Sequence, residues 1–221
     1  AMMEGAVYDS ASGQLLTAAM LDREAKSSYS VRVRSTDSGG LAYDKAFTVT
    51  VTDVNEVPTD LALTPSSVAE SQPAGTVVGS FSSTDPDVGA TFTYTLATGS
   101  GSTNNDSFMI VGNEVRTAAA LDYEARTARS IRVRTTDQGG LWYEKPFTIN
   151  VTNVNESPAG LTISAASVAE NQPIGAVVGD LSTTDPDVGD TFTYTLATGS
   201  GSTNNDLFTI VDNELRTAAA L

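Results

Sequence analysis

The sequence predicts an all-β protein of tandem seven-stranded antiparallel sandwiches, on three observations. Apolar residues alternate with polar ones at period two, the mark of a strand buried on one face. Gly, Pro, Asn and Asp punctuate that alternation at the spacing of a sandwich. Whole segments also return at an offset of 100 residues, so the chain is an array. The run from Thr91 to Asp106 recurs unchanged at 191–206, and Asp85-Pro86-Asp87 recurs as Asp185-Pro186-Asp187. Val68-Ala69-Glu70 recurs as Val168-Ala169-Glu170.

Each element follows from local pattern. Strands are expected at about 60–69, 75–83, 91–97, 107–111, 114–118, 128–135 and 145–152. Phe92, Tyr94 and Leu96 alternate with threonines. Ile131 and Val133 alternate with Arg132 and Arg134, and Phe147, Ile149 and Val151 with Thr148, Asn150 and Thr152. Helix is minor, since the alanine run in Thr117–Leu121 suffices for one short turn only. Pro58 and Pro158 mark linkers. They divide the chain into a second half-repeat (1–58), a complete repeat (59–158) and the first part of another (159–221).

Composition narrows the function. Of 221 residues, 40% are hydrophobic, enough for packed cores. Net charge is −15, so nucleic acid, which needs a basic surface, is excluded as a partner. No apolar run reaches membrane-spanning length, and this stretch inserts into no membrane. Cysteine and histidine are both absent, which removes disulfides and the commonest general base and transition-metal ligand. No signal peptide stands at the start, and the sequence reads as cut from a longer one.

The acids are patterned. Leu21-Asp22-Arg23-Glu24 returns as Leu121-Asp122-Tyr123-Glu124, and on a strand the two carboxylates of such a pair point the same way. Asp137-Gln138-Gly139-Gly140 and Val154-Asn155-Glu156 also have earlier copies. Taken singly, each has a plainer reading. Asp-Pro-Asp is a turn, Asp-Gln-Gly-Gly is a glycine turn, and Asp-Xaa-Glu is a solvated edge. An EF-hand is excluded, because Leu96 stands where a loop from Asp85 would need its glutamate.

Together and in this order, the motifs resemble bacterial cadherin-like repeats. The match covers Ala-Glu-Xaa-Gln-Pro-Xaa-Gly, Asp-Pro-Asp, Leu-Asp-Tyr-Glu, Asp-Gln-Gly-Gly and Val-Asn-Glu near a Pro, over nearly the whole chain. The resemblance implies Greek-key, immunoglobulin-like sandwiches with Ca2+ held where consecutive repeats meet. Carried over by position, the first junction would use Asp22, Glu24, Asn55, Glu56, Asp85, Asp87 and Asp137, with the carbonyls of Val54 and Val57. The second would use Glu70, Asp122, Glu124, Asn155, Glu156, Asp185 and Asp187. Three departures are visible: Ala69 replaces the motif's Pro, Glu56 and Glu156 stand for Asp, and Asn153 replaces an Asp that Asp53 keeps.

Charge repulsion supports the same ion. Two unit charges 4 Å apart repel by about 1 kcal/mol in water and roughly 4 kcal/mol near a protein surface. Carboxylates, amide oxygens and carbonyls are the hard set calcium prefers, and magnesium tolerates irregular cages poorly. The resulting reading is a non-enzymatic, calcium-stiffened adhesive or spacer rod, extracellular or on a bacterial surface. Its partner would be itself, by homophilic or head-to-tail contact, or a cell-surface or polysaccharide ligand. The alternative is a carbohydrate-binding module, for which Trp142 and Tyr143 are candidate contacts. Glycoside hydrolysis by an Asp/Glu pair fits poorly, since the acids recur at junctions.

Overall fold

A computed structural model describes residues 6–219. The chain forms two compact units. One holds the residues up to Ser67, Ala74–Ala119 and Arg129–Ile149; the other holds Val68–Pro73, Ala120–Ala128 and the residues from Asn150 on. Among the described residues no helix is long and apolar enough to cross a membrane.

Strands β1 (Ala6–Asp9) and β2 (Gln14–Thr17) make one antiparallel hairpin, and β3 (Ser28–Thr36) and β4 (Ala42–Thr50) another. Then follow β5 (Asp60–Thr64), β6 (Ser67–Ala69), β7 (Val77–Thr84), β8 (Phe92–Leu96), β9 (Phe108–Val111), β10 (Glu114–Thr117), β11 (Ala128–Asp137) and β12 (Trp142–Thr152). They form two four-stranded sheets, ordered β5-β7-β10-β9 and β6-β12-β11-β8. The strand expected over 60–69 is split. After the cis Thr64–Pro65 bond the chain leaves one sheet and joins the other.

Alternation decides which side chains meet between the sheets. Leu61, Val78, Phe81, Phe108 and Val115 are buried from one sheet, and Ile131, Val133 and Ile149 from the other. Phe81 stacks on Tyr94 at 5.3 Å and lies 5.8 Å from Phe147. Polar groups in this layer are paired, with the Ser83 and Thr135 hydroxyls 2.7 Å apart.

Four more strands, β13 (Gly160–Ile163), β14 (Val177–Thr184), β15 (Phe208–Val211) and β16 (Glu214–Thr217), form a sheet of order β13-β14-β16-β15. It repeats the order β5-β7-β10-β9. The strand expected near 191–197 is not formed. Its counterpart β8 pairs with β11, whereas the described copy of β11, β3, pairs with β4 and lends no hydrogen bonds to 191–197. Burial shows the same dependence. Leu61 is 0% exposed and its copy Leu161 is 64% exposed; Val133 is 0% exposed and its copy Val33 is 43% exposed.

Candidate metal centres

Among the described residues, each unit gathers acids singled out above. In the first unit, ligand oxygens of Glu24, Asp53 and Asp87 lie within 4.8 Å of one another. In the second, three sets meet that criterion: Glu70, Asp122 and Glu124; Glu124, Glu156 and Asp187; and Asp185, Asp187 and Asp190.

Asp122 and Glu124 do not sit on a strand, contrary to the expectation. Residues 123–125 form a turn. Asp122 Oδ1 accepts the Ala125 amide at 2.7 Å, and the Arg126 amide donates to the Asp122 carbonyl at 3.2 Å. Asp22 closes the equivalent turn on Ala25 at 2.9 Å. A short acid that can cap its own turn outcompetes the extended backbone. The pair still converges, by the turn rather than by alternation.

Asp85-Pro86-Asp87 also folds on itself, with the Asp87 amide donating to Asp85 Oδ1 at 2.9 Å. Asp87 Oδ2 accepts the Glu56 amide at 2.9 Å, which ties this loop to the linker. The second unit repeats both contacts, Asp187 to Asp185 at 3.0 Å and Glu156 to Asp187 at 2.7 Å. What remains is unusual. Buried oxygens of Glu56, Asp85 and Asp87 have no hydrogen-bond partner, and neither do those of Glu156, Asp185 and Asp187. Asp87 is 8% and Asp187 6% exposed. A buried orphan of this kind costs about 1–3 kcal/mol, so the atoms fit a cation ligand set that the protein itself does not complete.

The remaining predicted residues take defined places. Asn55 Nδ2 donates to Asp137 Oδ2 at 2.9 Å and to the Glu56 carbonyl at 3.2 Å. Asn155 makes the latter contact with Glu156 at 3.0 Å. Val54 and Val57 have hydrocarbon side chains, which are exposed, and only their backbone carbonyls can serve a site. Glu70 is fully buried, accepting the Tyr123 amide at 2.7 Å and the Val154 amide at 2.8 Å. It therefore clamps the turn to the linker as well as joining the acid cluster. Trp142 is half exposed and carries the Arg134 guanidinium 4.2 Å over its ring.

Two acids were not among the predicted ligands. Asp53 was legible only as the linker acid that Asn153 lacks, and it pairs with Arg23 at 2.5 Å. Asp190 was legible only as the one acid that replaces Ala90 between copies of the loop.

Crowding shows in the protonation equilibria. Burial, then the Glu24 and Asp87 charges, push Glu56 above its usual value. Burial and then Glu70 push Glu156 up, with Asp187 and Asp122 adding to it. Burial, with Glu70 and Glu156, does the same to Glu124. Asp137 goes the other way. Burial opposes its charge, but hydrogen bonds from Asn55 and the Leu141, Gly139 and Gly140 amides hold it below the usual range.

Gly139 explains why that loop has its glycine. A Cβ there would lie inside the Asn55 amide. Gly139→Ala should displace Asn55 from Asp137 and lower first-cluster cation affinity about tenfold, read by calorimetric titration. Unchanged affinity would show that the Asn55–Asp137 contact has no bearing on the site.

No protein-family model matches the sequence. Protocadherin gamma-A6 of Pan troglodytes and Homo sapiens is 35% identical over 184 residues, covering 80% of this chain but 20% of the relative. The chain thus spans about a fifth of that relative's length. The crystal structure of the protocadherin GammaB4 extracellular domain superposes with TM-score 0.65 at 25% identity, covering 100% of this chain and 37% of that one. Mouse cadherin-23 EC22-24 gives TM-score 0.67 at 23% identity, over 99% and 73% of the two chains. The paired sheets, the five acidic motifs and these likenesses agree that the chain is built of cadherin-like domains.

Proposed function

We propose that this chain is a calcium-dependent adhesive or structural segment of a bacterial surface or secreted protein, working outside the cell without catalysis. The observation that carries the reading is the recurrence of orphaned buried oxygens at 56, 85 and 87 and again at 156, 185 and 187. Two copies have kept the same unsatisfied acids, although a hydrogen-bond donor or an apolar residue would cost less in an empty site. The cadherin-like motif order supports the extracellular setting.

Three repeats are assigned, over 1–58, 59–158 and 159–221. The first cluster would hold Ca2+ through Glu24, Glu56, Asp85 and Asp87 with Asp53, supported by Asp22, Asn55, Asp137 and the Val54 and Val57 carbonyls. The second would use Glu70, Asp122, Glu124, Glu156, Asp185 and Asp187, with Asn155. A bound ion supplies the positive charge that cancels carboxylate repulsion. The residues then fix the linker after each repeat, the Glu56 and Glu156 amides by donating hydrogen bonds to the Asp87 and Asp187 carboxylates.

The pH dependence tests this reading. In chelator, Glu56, Glu124 and Glu156 have folded-state values above the usual 4.5. Such groups favour the folded state most below their unfolded value, and that contribution is lost as pH rises through the folded value. Without calcium, thermal stability should therefore fall from roughly pH 5 to pH 7. With millimolar calcium it should rise over the same range, because protons compete for the ligands. Identical melting curves in chelator and calcium at neutral pH would refute the reading.

The favoured partner is a second copy. Val33, Phe47 and Val49 on the β3–β4 hairpin are exposed, as is Leu161 on the last sheet, while Val133, Ile149 and Leu61 are buried in the middle repeat. One molecule's hairpin could cover another's sheet, head to tail. Light scattering at high concentration should show association, and a strict monomer would end this reading.

A further inference from the structure

The loop Asp185–Asp190 is nearly a copy of Asp85–Ala90. Each begins Asp-Pro-Asp-Val-Gly, and in each the first Asp accepts the amide of the second. In the later loop this leaves one Asp185 oxygen buried without a partner, beside the unpartnered Oδ1 of the 6% exposed Asp187. Gly189, at φ 99°, reverses the chain. The carboxylate that follows the reversal, Asp190, comes within 4.8 Å of those of Asp185 and Asp187. In the earlier loop Gly89, at φ 82°, makes the same reversal and presents Ala90, whose side chain has no ligand to offer.

The other exchanges between the clusters cancel. Arg23 and Asp53 become Tyr123 and Asn153, which removes one charge of each sign. Asp190 for Ala90 adds an acid that no new base offsets. Three carboxylates within six residues need no distant segment to assemble, so little ordering entropy opposes binding.

We propose that Asp185, Asp187 and Asp190 hold a hard divalent cation of the calcium class within this one loop, more tightly than Asp85 and Asp87 do in theirs. The proposal rests on the reading that the buried acids hold cations. Ligand charge count is one of the two properties that tune calcium affinity, and Asp190 raises it by one.

The test is calorimetric titration of the whole chain with calcium chloride, for wild type, Asp190→Ala and Ala90→Asp. Asp190 and Ala90 are at most partly buried, and circular dichroism checks that both variants fold. Asp190→Ala should weaken one binding step about tenfold, and Ala90→Asp should strengthen a different step by a similar factor. Steps present in wild type but unchanged in both variants would overturn this proposal alone. No calcium uptake by wild type would overturn it together with the reading of both clusters.

Discussion

Asp87→Asn is expected to stabilise the chelated protein and destabilise the calcium-loaded one. The asparagine oxygen can still accept the Glu56 amide, which Asp87 holds at 2.9 Å. Its NH2 replaces the oxygen that is buried without a partner. In chelator the change removes a buried charge from beside Glu24, Asp53 and Glu56, worth about 1 kcal/mol. In calcium it removes a ligand. Extracellular modules bind at roughly 10⁻⁴–10⁻³ M, so about 10 mM calcium stabilises each filled site by about 1.4–2.7 kcal/mol, which the variant forfeits. At roughly 2–4 °C per kcal/mol for a chain of this size, thermal melts in the two buffers should shift in opposite directions. A loss of equal size in both buffers would mean that Asp87 serves packing alone.

Asp87 also marks where sequence reading stops. The sandwich was legible because alternation such as Phe147-Thr148-Ile149-Asn150-Val151 has one physical cause, a strand with one buried face. The acid clusters were legible as recurring motifs, yet the means of convergence was not. Asp122 and Glu124 meet through a turn that Asp122 caps, a local hydrogen bond that periodicity does not report. Residues 192–196 carry the same letters as strand β8 and form no strand, since strand identity there is lent by a partner. The pairing of Arg23 with Asp53 joins residues 30 apart, and only the folded chain brings them together.

Glu70 was legible as an acid of the second cluster, while its two amide contacts were not, and they make Glu70→Ala the most damaging single change expected here. Its carboxylate is fully buried and serves two amides, those of Tyr123 and Val154. The backbone on either side is bound too, the Glu70 amide to the Thr152 carbonyl at 3.0 Å and the Ser71 amide to the Leu121 carbonyl at 2.9 Å. Alanine would strand both acceptor-less amides in a dry site, a cost of about 2–5 kcal/mol. Gln keeps one oxygen for one amide and turns its NH2 towards the other donor, so about half the loss should remain. Removing the charge also eases its repulsion of Glu124 and Glu156, which softens the Gln variant further in chelator. Because a multi-repeat chain need not unfold as one unit, the measurement is local: hydrogen exchange at the Tyr123 and Val154 amides. In chelator, Glu70→Ala should speed both by about 30-fold or more, with Glu70→Gln between it and wild type. Wild-type protection at both amides in Glu70→Ala would show that the linker and the turn are held by something other than this carboxylate.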